Sequence, residues 1–261
     1  MLLSNLPNYS YKINNQISVY FSHKELNGEV LPPNFLFEVS AVIDVLRATS
    51  TIVTALNNGA KEIIPVEEIK EAFEFKNEID DRNILLCGER GGIKPEGFEL
   101  GNSPLEFTSE IVKDKSLILT TTNGTRALLK AFKISNKVYI ASFLNVSSTV
   151  EILSKYNNIA IVCAGNNGSV SYEDTQLAGF IIEKLLSKKD YSLSDSAKIA
   201  YNLWKSLKRP DFTGEHAKKL IELGFQKDVD YCQNIDKISI VCEGIKQSQN
   251  LFKVKIIKTK I

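Results

Sequence analysis

Histidine is nearly missing from this chain: His23 and His216 are the only two in 261 residues. Both lie in polar stretches away from the glycine-rich turns, which reads them as remote from any chemistry. A Ser-His-Asp triad or a His-ligated zinc site needs imidazole that the chain does not supply. Acid–base work then falls to carboxylates, hydroxyls or metal-bound water. Cysteine is sparse as well. Cys87, Cys163, Cys232 and Cys242 show neither CxxC spacing nor the density of a disulfide framework, which fits a reducing cytoplasm. Cys87 and Cys163 close apolar runs and read as buried strand residues. No apolar run approaches the roughly 20 residues of a spanning helix, and residues 1–5 lack the basic and apolar regions of a secretory signal. A formal net charge of +1 offers no bulk attraction to nucleic acid or membrane. The expectation is a cytoplasmic protein with a small-molecule partner, and a homo-oligomer is left open.

Arginine is the next scarcity, and its placement is informative. Only five of the 32 basic residues are arginine, and Arg47, Arg90 and Arg126 each follow an apolar run, among Gly, Thr, Asn or acidic residues. Guanidinium presents a rigid fork that matches phosphate, sulfonate or carboxylate oxygens, whereas lysine is a flexible point charge. If the three runs are neighbouring strands, the three forks converge on one polyanionic ligand.

Apolar runs alternate with helical patterns from about residue 36 to 188. Strands are predicted at 37–43, 62–66, 83–87, 116–120, 137–141 and 158–163. Helices are predicted at 48–58, 67–80, 125–133, 146–156 and 172–187, with a short one after Ser103-Pro104. Pro65 argues that its strand is at an edge or ends there. Helical segments dominate 194–234, and Lys237–Val241 and Leu251–Ile257 read as late strands. The fold class is α/β: a three-layer α/β/α arrangement around a mainly parallel or mixed sheet. No Pro/Ser-rich linker interrupts it, which favours one domain over 1–261. Stretches 39–92 and 117–168 share a layout of strand, polar turn, Arg-Ala, helix, strand, helix and a strand ending in Cys. Two related βαβαβ halves would look like this.

Ligands of open α/β sheets bind beyond the carboxyl ends of strands, and four polar turns fall there. In Asp44-Val45-Leu46-Arg47-Ala48-Thr49, Asp44 is either a metal ligand or an ordinary first-turn carboxylate, and Arg47 and Thr49 are candidates for an anion. The segment Gly88-Glu89-Arg90-Gly91-Gly92 through Gly101-Asn102-Ser103-Pro104 holds five glycines within the fourteen residues 88–101, which permits close backbone approach to a ligand. Its alternative is a flexible loop with an Arg–Glu surface pair. Thr121-Thr122-Asn123-Gly124-Thr125-Arg126 runs into a helix and offers hydroxyls, an amide and backbone N–H groups to an anion; it lacks the glycine spacing and Gly-Lys-Ser/Thr ending of a Walker A loop. Last, Cys163-Ala164-Gly165 leads to Ser171-Tyr172-Glu173-Asp174, where Asp174 either completes a capping-box-like start or supplies a second oxygen ligand to a hard metal. Asn145 reads as a helix cap.

Together these turns resemble the 2-phosphosulfolactate phosphatase family of coenzyme M biosynthesis, over residues 39 to about 188. The resemblance implies a Mg²⁺-dependent phosphatase that converts 2-phospho-3-sulfolactate to 3-sulfolactate and phosphate. For such a reaction, catalytic roles are expected of Asp44, Arg47, Glu89, Arg90 and Arg126. Substrate contacts would come from Thr49, Gly91, Asn102, Ser103, Thr122, Asn123, Gly124 and Thr125, and Mg²⁺ ligands from Asp44, Glu89 and Asp174. The alternatives are a phosphatase for another small 2-phosphorylated hydroxy acid and a non-catalytic binder of anionic metabolites.

Overall fold

The computed structural model describes residues 15–26, 37–78, 83–246 and 254–259. Its strands in chain order are β1 (Gln16–Tyr20), β2 (Val39–Ile43), β3 (Glu62–Pro65), β4 (Ile84–Gly88), β5 (Ser116–Thr120), β6 (Val138–Ala141), β7 (Asn158–Cys163), β8 (Ser192–Leu193), β9 (Val241–Lys246) and β10 (Val254–Thr259). The helices are α1 (Ala48–Asn57), α2 (Ile69–Glu78), α3 (Ser109–Val112), α4 (Gly124–Ile134), α5 (Val146–Leu153), α6 (Tyr172–Leu186), α7 (Asp195–Leu207), α8 (Glu215–Glu222) and α9 (Gln226–Cys232). All ten strands join one mixed sheet, ordered β4-β5-β3-β10-β9-β6-β2-β7-β1-β8.

Two parallel blocks, β4-β5-β3 and β6-β2-β7-β1-β8, flank the antiparallel hairpin of β9 and β10. The hairpin is antiparallel to β3 on one side and to β6 on the other. The similar stretches 39–92 and 117–168 interleave: β2 lies between β6 and β7, and β5 lies between β3 and β4. The blocks therefore run in opposite local directions. A twist of roughly 20–25° per strand, accumulated across the steps from β5 to β2, turns their carboxyl ends toward each other.

Strand periodicity builds the three layers. On β2, Ala41 and Ile43 face a cluster with Leu177 and Ile181 of α6 and Trp204 of α7. Val42, between them, faces Ile52 and Leu56 of α1 and Leu128 of α4. A smaller cluster joins Ile64, Leu86 and Ile118 to Ala72 of α2. Each fully buried aliphatic side chain of this kind contributes roughly 1.5–3 kcal/mol. Helices α6 and α7 touch closely at Gly179, where an added Cβ would overlap the Ala200 carbonyl oxygen and lie 2.7 Å from Trp204 Cβ. Alanine normally gains about 1 kcal/mol over glycine in a helix, but overpacking costs about 1–3 kcal/mol or more. Gly179→Ala is expected to lower the urea midpoint, and an unchanged or higher midpoint would show that α7 yields freely.

Most predicted elements between 37 and 187 are present within one to three residues. Pro65 ends β3, which is interior to the sheet. Three readings need correction. Strand β1 went unread: Gln16-Ile17-Ser18-Val19 alternates, but a five-residue stretch is too short for the alternation to stand out. Proline 104 begins a 3-10 turn, Pro104–Glu106, rather than an α-helix. The segment Lys237–Ile240 has no strand partner, because its neighbourhood is tied to the turn after β6: Asp236 N–H donates to Phe143 O, Ile238 N–H to Leu144 O, and Asn145 Nδ2 to Ile240 O. Strand pairing starts only at Val241. Of the predicted strand Leu251–Ile257, residues 251–253 lie outside the described residues, as do residues 79–80 of the helix predicted at 67–80. All four cysteines are free and buried.

Candidate active site

The carboxyl ends of β2, β4, β5 and β7 meet at a cleft whose polar floor includes Asp44, Glu89, Asn102, Thr122 and Asn123. Arg47 and the Gly91-Gly92 backbone form one side, Asn166 and Asn167 another. The remaining wall is α8, with His216, Lys219, Leu220 and the following Leu223.

Two turns of similar construction place the floor. After β2, Thr49 N–H and Oγ1 both donate to Asp44 O (2.9 and 2.8 Å), and Asp44 N–H donates to Thr49 Oγ1 (3.1 Å). After β5, Thr121 and Thr125 exchange backbone N–H to side-chain hydroxyl bonds at 3.1 and 3.0 Å. Both threonines, Thr49 and Thr125, are fully buried, so their hydroxyls form the turns and are not offered to the cleft. The two turns start α1 and α4 side by side. A Cβ on Gly124 would lie 2.5 Å from both Ala48 Cβ and Asp44 Oδ2. Glycine is needed there because the α4 N-terminus packs directly on Asp44, not because of its backbone freedom.

Three carboxylates lie in a row. Glu89 accepts from Thr122 N–H and Gly92 N–H, both at 2.7 Å, and from Thr122 Oγ1 at 3.2 Å. Asp44 accepts from Ala48 N–H at 3.3 Å. Asp174 uses both oxygens on backbone: Val45 N–H at 2.9 Å and Gly165 N–H at 3.2 Å. Burial and then the negative charge of Glu89 push the Asp44 carboxyl up to about 7. Burial and then Asp44 hold Asp174 well above the usual carboxylate range. Asp44 and Glu89 line the cleft, whereas Asp174 sits behind Asp44 as the clasp between the β2 and β7 turns.

The arginines do not share one target. Arg47 is buried, with Nη1 donating to Asp228 Oδ2 at 2.7 Å, Nη2 to Gly92 O at 2.9 Å, and its guanidinium 4.0 Å from the Phe225 ring centroid. Ser103 Oγ donates to the other Asp228 oxygen at 2.6 Å, so Ser103 supports the arginine from outside the cleft lining. Arg126 Nη2 pairs with Glu68 Oε1 at 2.6 Å, and Arg90 Nη2 lies 3.9 Å from Glu68 Oε2. Arg90 also donates to Glu89 O, Glu67 O and Thr120 Oγ1. The structure thus brings Asp44, Arg47, Glu89, Gly91, Asn102, Thr122 and Asn123 to one cleft. It sets Arg90 and Arg126 beside it on a shared carboxylate, and holds Thr49, Ser103, Gly124, Thr125 and Asp174 in the supporting turns.

Asp228, His216 and Lys219 were not anticipated. His216, read as remote, lies 2.7 Å through Nε2 from Leu46 O. No motif marks α8, and only its amphipathic pattern, visible as an ordinary surface helix, precedes it in sequence. Fit to a hard cation is partial but chemically apt. No three His, Cys, Asp or Glu among the described residues form a metal cage. Mg²⁺, however, commonly takes one or two carboxylates and completes its shell with water and substrate oxygens. Asp44 and Glu89 supply that pair, and Asn102 Oδ1 is a buried acceptor with no partner in the structure.

The family model described as 2-phosphosulpholactate phosphatase matches residues 26–247. A probable 2-phosphosulfolactate phosphatase of Pseudothermotoga lettingae is 49% identical over 208 residues, covering 78% of this chain and 88% of that protein. One of the same name from Caldanaerobacter subterraneus is 47% identical over 205 residues, covering 77% and 85%. Another, from Caldicellulosiruptor saccharolyticus, is 40% identical over 237 residues, covering 86% and 95%. With the match extending from residue 26 through the β9 strand, and so across every turn of the cleft, this chain belongs to the 2-phosphosulfolactate phosphatase family.

Proposed function

We propose that this protein is a phosphoric monoester hydrolase that cleaves 2-phospho-3-sulfolactate to 3-sulfolactate and phosphate, with Mg²⁺ as its cofactor. The observation that carries the reading is the buried Asp44–Glu89 pair facing one cleft beside the adjoining N-termini of α1 and α4. Two carboxylates buried together, with Arg47 the one arginine of the lining and itself paired with Asp228, form a site that a divalent cation and an anionic ligand would complete. Asp44 and Glu89 would hold Mg²⁺, which when bound supplies charge neutralisation on phosphoryl oxygens and polarises the ester. Asn123 presents its side-chain amide to the phosphoryl group, Thr122 orients Glu89 through its N–H and hydroxyl, and the α4 N-terminus adds its dipole. Arg47, fixed by Asp228 and Phe225, is pre-oriented to offset charge on the oxygens without reorganising. Asp174 acts through Val45 and Gly165, holding the turn that aims Asp44. Water is the nucleophile in this scheme: its oxygen bonds to phosphorus as the phosphorus–oxygen bond to the sulfolactate carbon skeleton breaks, and the proton that the water loses ends on the leaving oxygen, giving the free hydroxyl of 3-sulfolactate.

Phosphate release from 2-phospho-3-sulfolactate, compared with 2-phosphoglycolate and 2-phospholactate, tests both reaction and substrate. Release is expected to require added Mg²⁺. Glu89→Gln is expected to lower kcat by about 100-fold or more, since even outer-shell partners of a bound metal cost roughly 10–100-fold when lost and Glu89 would hold the ion directly, and Asp174→Asn to lower it less. Full activity of Asp44→Asn and Glu89→Gln at limiting Mg²⁺ would remove the metal assignment, and tight substrate binding without turnover would make the protein a binder.

A further inference from the structure

The charges around the cleft do not balance for a substrate with several anionic groups. Asp44 and Glu89 place two carboxyl groups in its lining. Arg47 is matched by Asp228 at 2.7 Å. Arg90 and Arg126, the other two arginines beside strand ends, both face Glu68. A bound Mg²⁺ would offset the two floor carboxylates and address the phosphoryl oxygens, and the one positive charge that Arg90 and Arg126 hold in excess of Glu68 lies outside the lining, which leaves the sulfonate and carboxylate of such a molecule to be met by another cation of the lining. Lys219 is the remaining cationic side chain in the lining, and it makes no ion pair among the described residues.

The helix that carries Lys219 is docked rather than loose. Leu46 O only accepts, so the 2.7 Å contact requires that His216 carry its proton on Nε2. That bond ties α8 to the turn that holds Asp44 and Arg47. Lys219 follows His216 by three residues, so the two project from neighbouring positions on one helical face. On the other side of the lysine, Leu223 Cδ1 would lie 2.9 Å from a Cβ on Gly92, which shows how closely α8 abuts the glycine-rich loop. Lysine's long stem lets its ammonium reach into the cleft from an exposed backbone position.

We propose that Lys219 anchors the second anionic group of the substrate, the sulfonate or carboxylate that is not the reacting phosphate, and so sets the preference for multiply charged esters. This rests on the reading of the cleft as a phosphatase site. The test compares wild type, Lys219→Met and Lys219→Arg on 2-phospho-3-sulfolactate and on phenyl phosphate, which has no second anion. In Lys219→Met, the loss of kcat/KM on the sulfolactate ester is expected to exceed the loss on phenyl phosphate at least tenfold, mainly through KM, with Lys219→Arg restoring most of it. Equal losses on both esters, or no loss, would overturn the anchor while leaving the phosphatase reading intact. If wild type hydrolyses neither ester, that reading fails and calorimetric binding of 3-sulfolactate with Mg²⁺ decides the anchor. Binding weaker by tenfold or more in Lys219→Met supports it; equal affinity, or none in wild type, overturns it.

Discussion

Replacing Asp44 with asparagine is expected to abolish turnover and yet make the metal-free protein more stable above neutral pH. The Asp44 carboxyl is held at about 7 in the folded protein, against an ordinary value of 3.8, chiefly by burial and then by Glu89. Its folded state therefore binds the proton more tightly than the unfolded chain does. That favourable contribution is fully present below pH 3.8 and is lost as pH rises through 7. At 1.36 kcal/mol for each tenfold difference in proton affinity, the cost at pH 8 is at most about 4 kcal/mol. Asparagine keeps an oxygen for the Ala48 N–H and removes the buried charge. Urea denaturation of chelator-treated protein should show wild type and Asp44→Asn nearly alike at pH 4, with the variant ahead at pH 8. Mg²⁺ should reverse the order. A cation at more than about 1,000 times its dissociation constant stabilises the folded state by more than about 4.1 kcal/mol, enough to exceed that cost, and the variant, short of one ligand, should respond weakly. Parallel pH profiles for the two proteins would mean that Asp44 is not the buried charge that this cleft must neutralise.

The second large effect lies at Asp228, which touches no part of the proposed reaction. Its carboxylate and the Arg47 guanidinium are 4% and 2% exposed, and removing one partner of such a pair typically costs about 3–5 kcal/mol because the other charge stays buried. Asp228→Ala also leaves Ser103 Oγ without its acceptor. A loss of that size in urea denaturation is expected, with a fall in kcat as Arg47 loses its orientation. Combining Asp228→Ala with Arg47→Met should cost well below the sum of the single changes, since no lone charge remains. Additive losses would show that the pair is not coupled and that Arg47 is held by Phe225 and Gly92 alone.

The cleft's polar turns were legible because each is a local event: an apolar run, then a carboxylate or threonine, then a helix. Asp44, Glu89, Thr122 and Asn123 could be picked from that pattern and do share one cleft. The convergence of three guanidinium groups could not be judged the same way. Whether Arg90 and Arg126 face a ligand depends on where the turn between β3 and α2 places Glu68, and whether Arg47 is free depends on Asp228, 181 residues later. His216 and Lys219 illustrate the same limit. An amphipathic helix announces its buried face, but nothing local says which distant turn that face will cover.

Sequence alone therefore determined the alternation of strands and helices, the turn chemistry at the strand ends and the family to which those turns point, because each depends on residues close together in the chain. Tertiary structure decided the partners. The β9–β10 hairpin enters the middle of the sheet, β2 and β5 cross into each other's neighbourhoods, and α8 closes the cleft. Those choices come from long-range packing, which is what determines whether a charged side chain meets a protein counter-charge or remains available to a ligand.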